Sequence, residues 1–307
     1  MTIDNIFFCY HICMTKSKKN IFNILVEAIG LYFSNIDKFI KYMSFPVLGQ
    51  IAGLLIVFLI TYFYSVNLPN LLEKYPNLNN FNTLVLMSVV ITLPGLIIFC
   101  KAFWEYLVAY GAVNSMVENM QKSGRLYDFQ AHTELVKRRA VVFIGLWFLF
   151  GVFSFVALVP FFWVICGILT MYFVLVFQAF TYNPELSPIG CVKKSLMLVK
   201  GHFASTFILF LLIGFITYFL IPNLFIKVFD ILGASKFTSN VIMPFVTLFP
   251  EIHLEQYGLT AITHKDIALF TVEAVLAQIL IQYTLPMRSI LWSLWYKELG
   301  EKLILLQ

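Results

Sequence analysis

Gln178, Glu273, Gln278 and Gln282 are polar side chains inside stretches that are otherwise apolar. Gln278 and Gln282 are one helical turn apart, so a helix points both amides the same way. In a membrane an ionisable group such as Glu273 is costly to bury and by default marks a pathway or site. Amides have two uses there: they hydrogen-bond between neighbouring helices, or they line a polar path for a solute.

Other chemistry is thin. His253 and Glu255 are near neighbours, as are His264 and Asp266; two such pairs could bind a metal, but single-residue spacing in a loop is common by chance. His11, His132 and His202 are isolated, and no His-Glu-x-x-His occurs. Cys9, Cys13, Cys100, Cys166 and Cys191 are odd in number and scattered. Cys9 and Cys13 share a helical face, but no partner pair follows at zinc-site spacing. No Gly-Ser nucleophile motif marks an intramembrane protease. The expectation is a chain with no catalytic residue, no metal and no cofactor.

The elements that must carry these residues are set by composition. Of 307 residues, 60% are hydrophobic and 12% charged, and the mean hydropathy is +0.86. A soluble domain is about a quarter charged, so the balance points to a membrane protein. The 33 Phe and 15 Tyr agree, since a bilayer and its interfaces take up aromatic surface. The net charge of +5 contains no basic block interleaved with aromatics, which argues against nucleic acid.

A bilayer core of about 30 Å takes roughly 20 apolar helical residues. Six spans follow: 46–65, 84–106, 140–158, 161–182, 206–228 and 267–286. The third and fourth form a hairpin turning at Pro160. Pro222 marks a kink in the fifth, and the sixth could run on to Trp295 past Arg288. Residues 1–20 are an N-terminal lead, 21–300 a single membrane domain, and 301–307 a short tail. The apolar stretch 241–249 is too short to span and carries Pro244, which suits an interfacial or re-entrant segment.

Six spans put both termini on one side. That side carries most of the basic residues, Lys16 to Lys41, Lys122 to Arg139, Lys193 to Lys200, and Arg288 to Lys302. The opposite loops hold Lys74, Lys236 and Lys265, with Lys227 at a helix end. Positive-inside then places both termini in the cytoplasm. The fold expected is an all-α membrane protein with six transmembrane helices and cytoplasmic amphipathic helices.

One such helix is marked by Leu25, Ala28, Tyr32, Ile36, Phe39 and Met43 at steps of three and four. A second has the stripe Ile189, Val192, Leu196, Val199 and Phe203, with Lys193, Lys194 and Lys200 on other faces. Ser187 and Pro188 give it a capping hydroxyl and a first-turn proline. It would either lie on the inner leaflet, its lysines near anionic headgroups, or pack on the protein's own cytoplasmic face. With residues 125–139 as a third such stretch, the order is three times a cytoplasmic helix followed by a hairpin of spans, as parallel repeats would give.

The segment Ser187-Pro188-Ile189 through Lys194-Ser195 to Lys200-Gly201-His202-Phe203 resembles a motif of one membrane-protein group. That group comprises the membrane domain of some bacterial glycerophosphoryl diester phosphodiesterases and the stand-alone YciC-like membrane proteins. Pro286 with residues 291–299 is similar to the group's closing segment, departing at Lys297 and Glu298. The resemblance covers residues 20–300 in layout and two short stretches in sequence. It implies a six-span protein of the bacterial inner membrane. The phosphodiesterase activity would need a separate soluble barrel, whose His-Arg-Gly start is not in this chain. The reading is therefore a non-enzymatic membrane component in membrane or envelope homeostasis, whose partners are membrane lipids, another membrane protein or a second copy. The alternative is a transporter or channel for a lipid-like or small solute, with Glu273, Gln278, Gln282 and Gln178 converging on one path.

Overall fold

The structure, a computed structural model, describes residues 20–123, 126, 129–247 and 262–305, with side chains up to residue 301. The His253 and Glu255 pair and most of the N-terminal lead lie outside the described residues.

Where there is no water, a backbone can satisfy its own hydrogen bonds as a helix, and the long apolar stretches among the described residues do so. The described helices are α1 (Ile21–Phe33), α2 (Ile36–Lys74), α3 (Phe81–Ser123), α4 (Phe129–Arg138), α5 (Ala140–Ala157), α6 (Trp163–Phe173), α7 (Val176–Tyr182), α8 (Pro188–Lys200), α9 (Phe203–Gly214), α10 (Ile221–Ile231), α11 (Ala234–Val246), α12 (His264–Tyr283) and α13 (Leu285–Leu305). Among the described residues, six helical stretches are long and apolar enough to cross a bilayer. The protein is an all-helical, multi-pass integral membrane protein.

The first two spans are parts of longer rods. At 1.5 Å per residue, the 39 residues of α2 and the 43 of α3 reach about 58 Å and about 65 Å, twice a bilayer core. The two cross with backbone against backbone. A Cβ on Gly53 would lie 2.6 Å from Phe99 N and 2.7 Å from Gly95 O, and one on Gly49 would lie 2.8 Å from the Ala102 Cβ. Small residues at this spacing let helices approach without side chains between them.

The fourth span is broken between α6 and α7, and α8 repairs the break. Ser195 Oγ donates to Tyr172 O at 2.6 Å and accepts from Leu175 N at 3.3 Å. The kink expected at Pro222 takes another form. Residues Phe215–Leu220 widen into a π-helical segment, and Pro222 then sits in the first turn of α10. Proline lacks an N–H and crowds the carbonyl four residues back, which the wider turn relieves.

The first helix of the sixth span, α12, ends at Tyr283, and the apolar helical stretch runs on through α13 to Glu301, past Trp295, as the longer reading allows. Pro286 breaks the ladder at an elbow, where the Ile281 carbonyl takes two side-chain donors instead, Thr284 Oγ1 at 2.8 Å and Arg288 Nη2 at 3.0 Å. The region expected to be re-entrant contains α11. Gly233, at φ 71°, reverses the chain so that α11 turns back against α10 and α12. Its 13 residues, about 20 Å, fall short of a crossing.

Past the elbow, α13 is the centre of a dense core. It packs on α1, the far half of α3, α7 and α8. Met287, Ile290, Leu291 and Trp295 are fully buried there, against Ala112, Met116 and Met120 of α3 and Ile24 and Ala28 of α1.

Candidate functional site

Polar groups gather in three places: a groove between spans, the core around α13, and the elbow that precedes it.

The groove has a volume of about 760 Å³ and lies between α2, α3, α10, α11 and α12. Ile51, Leu54, Leu55 and Phe58 form one wall, and Val272, Val275, Leu276 and Ile279 the other. Phe99, Phe229 and Ile242 close it. Gln50, Gln278 and Gln282 stand at one end, with Gln50 Nε2 donating to Gln282 Oε1 at 3.4 Å and to Pro46 O at 2.6 Å. Thr271 and Thr238 also line it, and none of its described lining residues is charged. From Thr271 to Gln282 the helix rises about 16 Å, half of a bilayer core, so the groove has the length of one leaflet. Leu54 and Leu55 are 53% and 54% exposed, which leaves it open sideways towards lipid.

The second place is the polar hub. Asn114 on α3 is fully buried, and its Oδ1 accepts from Ser289 Oγ, from Ser293 Oγ at 3.2 Å and from Gln178 Nε2 at 3.1 Å. Its backbone carbonyl accepts from the Tyr182 hydroxyl at 2.9 Å. One asparagine thus ties α3, α7 and α13 together. Its Nδ2 and the Oε1 of Gln178 have no hydrogen-bond partner among the described residues. Nearby, Trp295 Nε1 donates to Thr206 Oγ1 at 3.0 Å, and Tyr32 on α1 donates to the Tyr283 carbonyl at 3.1 Å. Burial pushes the Tyr32 phenol up to about 12, so it is a neutral donor at physiological pH.

The four polar positions picked out in the sequence therefore separate. Gln278 and Gln282 meet at the groove, joined by Gln50. Gln178 belongs to the hub. Glu273 is half-buried on α12, does not line the groove, and has no hydrogen bond or ion pair to a described residue. Gln50 and Asn114 escaped the sequence reading. The signal for the first was Gly49-x-x-x-Gly53, which places a close crossing beside it. For the second it was the stripe of small and apolar residues from Val108 to Met120.

The helix α8 forms with Ser187 as its cap, accepting from Gly190 N at 3.2 Å, and Pro188 in the first turn. Its buried face is Cys191, Ser195, Leu198 and Val199, a rotation away from the expected stripe, and Ile189 is 63% exposed. Neighbours on more than one side cause the rotation, because α8 packs between α5, α6, α7 and α13. Burial raises the Cys191 thiol pKa. Lys193 and Lys200 stay exposed, and Phe203 opens α9.

His264 and Asp266 stand in the first turn of α12. Asp266 closes the capping box of α12, accepting from Thr263 N at 3.0 Å, and no group of three metal-ligating residues occurs among the described residues.

These features define a class: a multi-pass helical membrane protein with a buried polar hub and a lateral apolar groove. No family model matches the chain, and no curated protein or solved structure matches it either.

Proposed function

We propose that this protein is a non-enzymatic component of the bacterial inner membrane that holds the acyl part of a membrane lipid in its lateral groove. The observation that carries this reading is the groove itself, leaflet-long, open to the side, walled by aliphatic and aromatic carbon, and ending at three neutral amides. Apolar cavities of this size hold ligands by area removed from water and use a few polar groups to orient them. Neutral amides suit ester or amide carbonyls, which lie just below a lipid's headgroup. The Lys and Arg bias supports cytoplasmic termini, which turns the glutamine end towards the inner leaflet. The likeness of residues 187–203 to the YciC-like group fits the same setting, and a role in envelope homeostasis follows from it. Transport of a lipid-like solute is the weaker reading, because Gln178 and Glu273 do not extend the polar end of the groove into a path.

The test is lipid retention. The full chain, purified in mild detergent, is expected to keep bound phospholipid, measured by native mass spectrometry. Leu54→Trp fills the groove from an exposed position and should lose most of that lipid without lowering the unfolding midpoint. Equal retention by a folded Leu54→Trp protein would sink the proposal.

A further inference from the structure

The elbow between α12 and α13 carries a guanidinium that the fold does not neutralise. Arg288 Nη1 donates to the Tyr218 hydroxyl, Nη2 donates to the Ile281 carbonyl at 3.0 Å, and the guanidinium carbon lies 4.7 Å from the Tyr218 ring centre. The Tyr106 hydroxyl lies beside the same group. All of these partners are neutral, and no described carboxylate pairs with Arg288. A guanidinium has five N–H donors, so part of the fork is left over.

Holding the elbow does not require this charge. The Ile281 carbonyl already accepts from Thr284 Oγ1 at 2.8 Å. Position adds a second argument. The Arg288 guanidinium reaches back to the last turn of α12, whose 20 residues match a bilayer core, so with His264 at one face of that core the guanidinium stands near the other face, where the headgroups begin. An uncompensated charge at this depth is costly until an anion reaches it. A third observation points to where the anion comes from. Tyr218 belongs to the π-helical segment, in which Phe215 and Phe219 are also more than half exposed. The site therefore opens through aromatic surface towards lipid and not through a polar mouth towards solvent.

We propose that Arg288 and the Tyr218 hydroxyl form a binding site for the phosphate of an anionic membrane phospholipid. The planar fork of arginine matches two phosphate oxygens, and Tyr218, which accepts from Arg288, has its own proton to donate to a third. The site is separate from the groove and depends only on the membrane placement of the elbow.

The experiment is native mass spectrometry on the full chain in non-ionic detergent, with phosphatidylglycerol and phosphatidylcholine of the same acyl chains. Wild type should retain the anionic lipid about ten-fold better, the scale of a charge-assisted hydrogen bond. Arg288→Gln should bring the two lipids close to parity, and Arg288→Lys should fall between. Leu54→Trp should leave the preference untouched, which separates this site from the groove. Wild type with no preference would overturn the proposal, as would a folded Arg288→Gln protein that keeps it. If Arg288→Gln does not fold, Tyr218→Phe keeps the Ile281 bond and should still lower the preference; an unchanged preference there counts against the site. Displacement of the lipid by millimolar inorganic phosphate would overturn its lipid character.

Discussion

Helix α3 joins two regions built on different rules. In its membrane half, only 6% of the apolar window is buried in the protein. In its far half, Val108, Ala109, Ala112, Val113, Met116, Val117 and Met120 are all fully buried. The hub around α13 is assembled as a soluble core is, with close packing and polar atoms that bond to one another. The spans leave most of their carbon to lipid, since helices in a bilayer gain nothing from hiding apolar surface. They are held where backbones touch and open where they do not. The groove lies between α2 and α12 for that reason.

The first way to break this comparison is to block the close glycine crossing in the membrane half. Gly53→Leu puts carbon where Phe99 N and Gly95 O already lie within 3 Å of an added Cβ. Overpacking of this kind should cost about 3 kcal/mol, read from unfolding in mixed detergent. Gly151→Leu is the counterpart, because an added Cβ there meets nothing within 4 Å, and it should be silent. A silent Gly53→Leu would mean that lipid, and not the glycine crossing, holds α2 on α3.

The second prediction tests the hub. Asn114→Leu removes an acceptor shared by Ser289, Ser293 and Gln178 and strands donors in a dry site. The expected loss is about 2 kcal/mol, since an orphaned buried donor costs about 1–3. Ser293→Ala, measured the same way, keeps the acceptor and removes a single donor, and should fall short of that loss. If both variants match wild type, the hub is held by packing alone.

How much of this was legible follows from the same contrast. The spans were readable because lipid imposes one rule on every residue, and α5, expected at 140–158, runs from Ala140 to Ala157. The far half of α3 was not. Lys101 and Glu105 end the hydropathy signal, and a stripe of Ala, Val and Met beyond them looks like any amphipathic turn. Asn114 gives no local sign of its role, since its partners come from α7 and α13, 64 and about 180 residues away. The groove needed α11 folded back by Gly233, a tertiary event. The face that α8 buries depends on several neighbours, so a single-helix periodicity placed it about one residue's rotation off. Ser187, Pro188 and Ser195 were legible as a pattern. In the structure Ser187 caps α8, Pro188 opens its first turn, and Ser195 repairs the break before α7.

The smallest expected effect is the sharpest discriminator between the regions. Gln278→Leu also replaces a polar group by carbon at membrane depth, but Gln278 is exposed at the groove and no described residue bonds to it. Nothing is stranded by its loss, and the leucine gains lipid contact, so stability should stay within about 0.5 kcal/mol of wild type. Lipid retention should nevertheless shift, because an amide that orients a carbonyl has gone. The expected pair of results is an unchanged unfolding midpoint and a weaker hold on ester-linked lipid relative to an ether-linked one of equal chain length. A large loss of stability would put Gln278 in the same category as Asn114 and make the groove's glutamine end part of the scaffold. An unchanged ester preference would leave the groove as an apolar slot without a reader at its end.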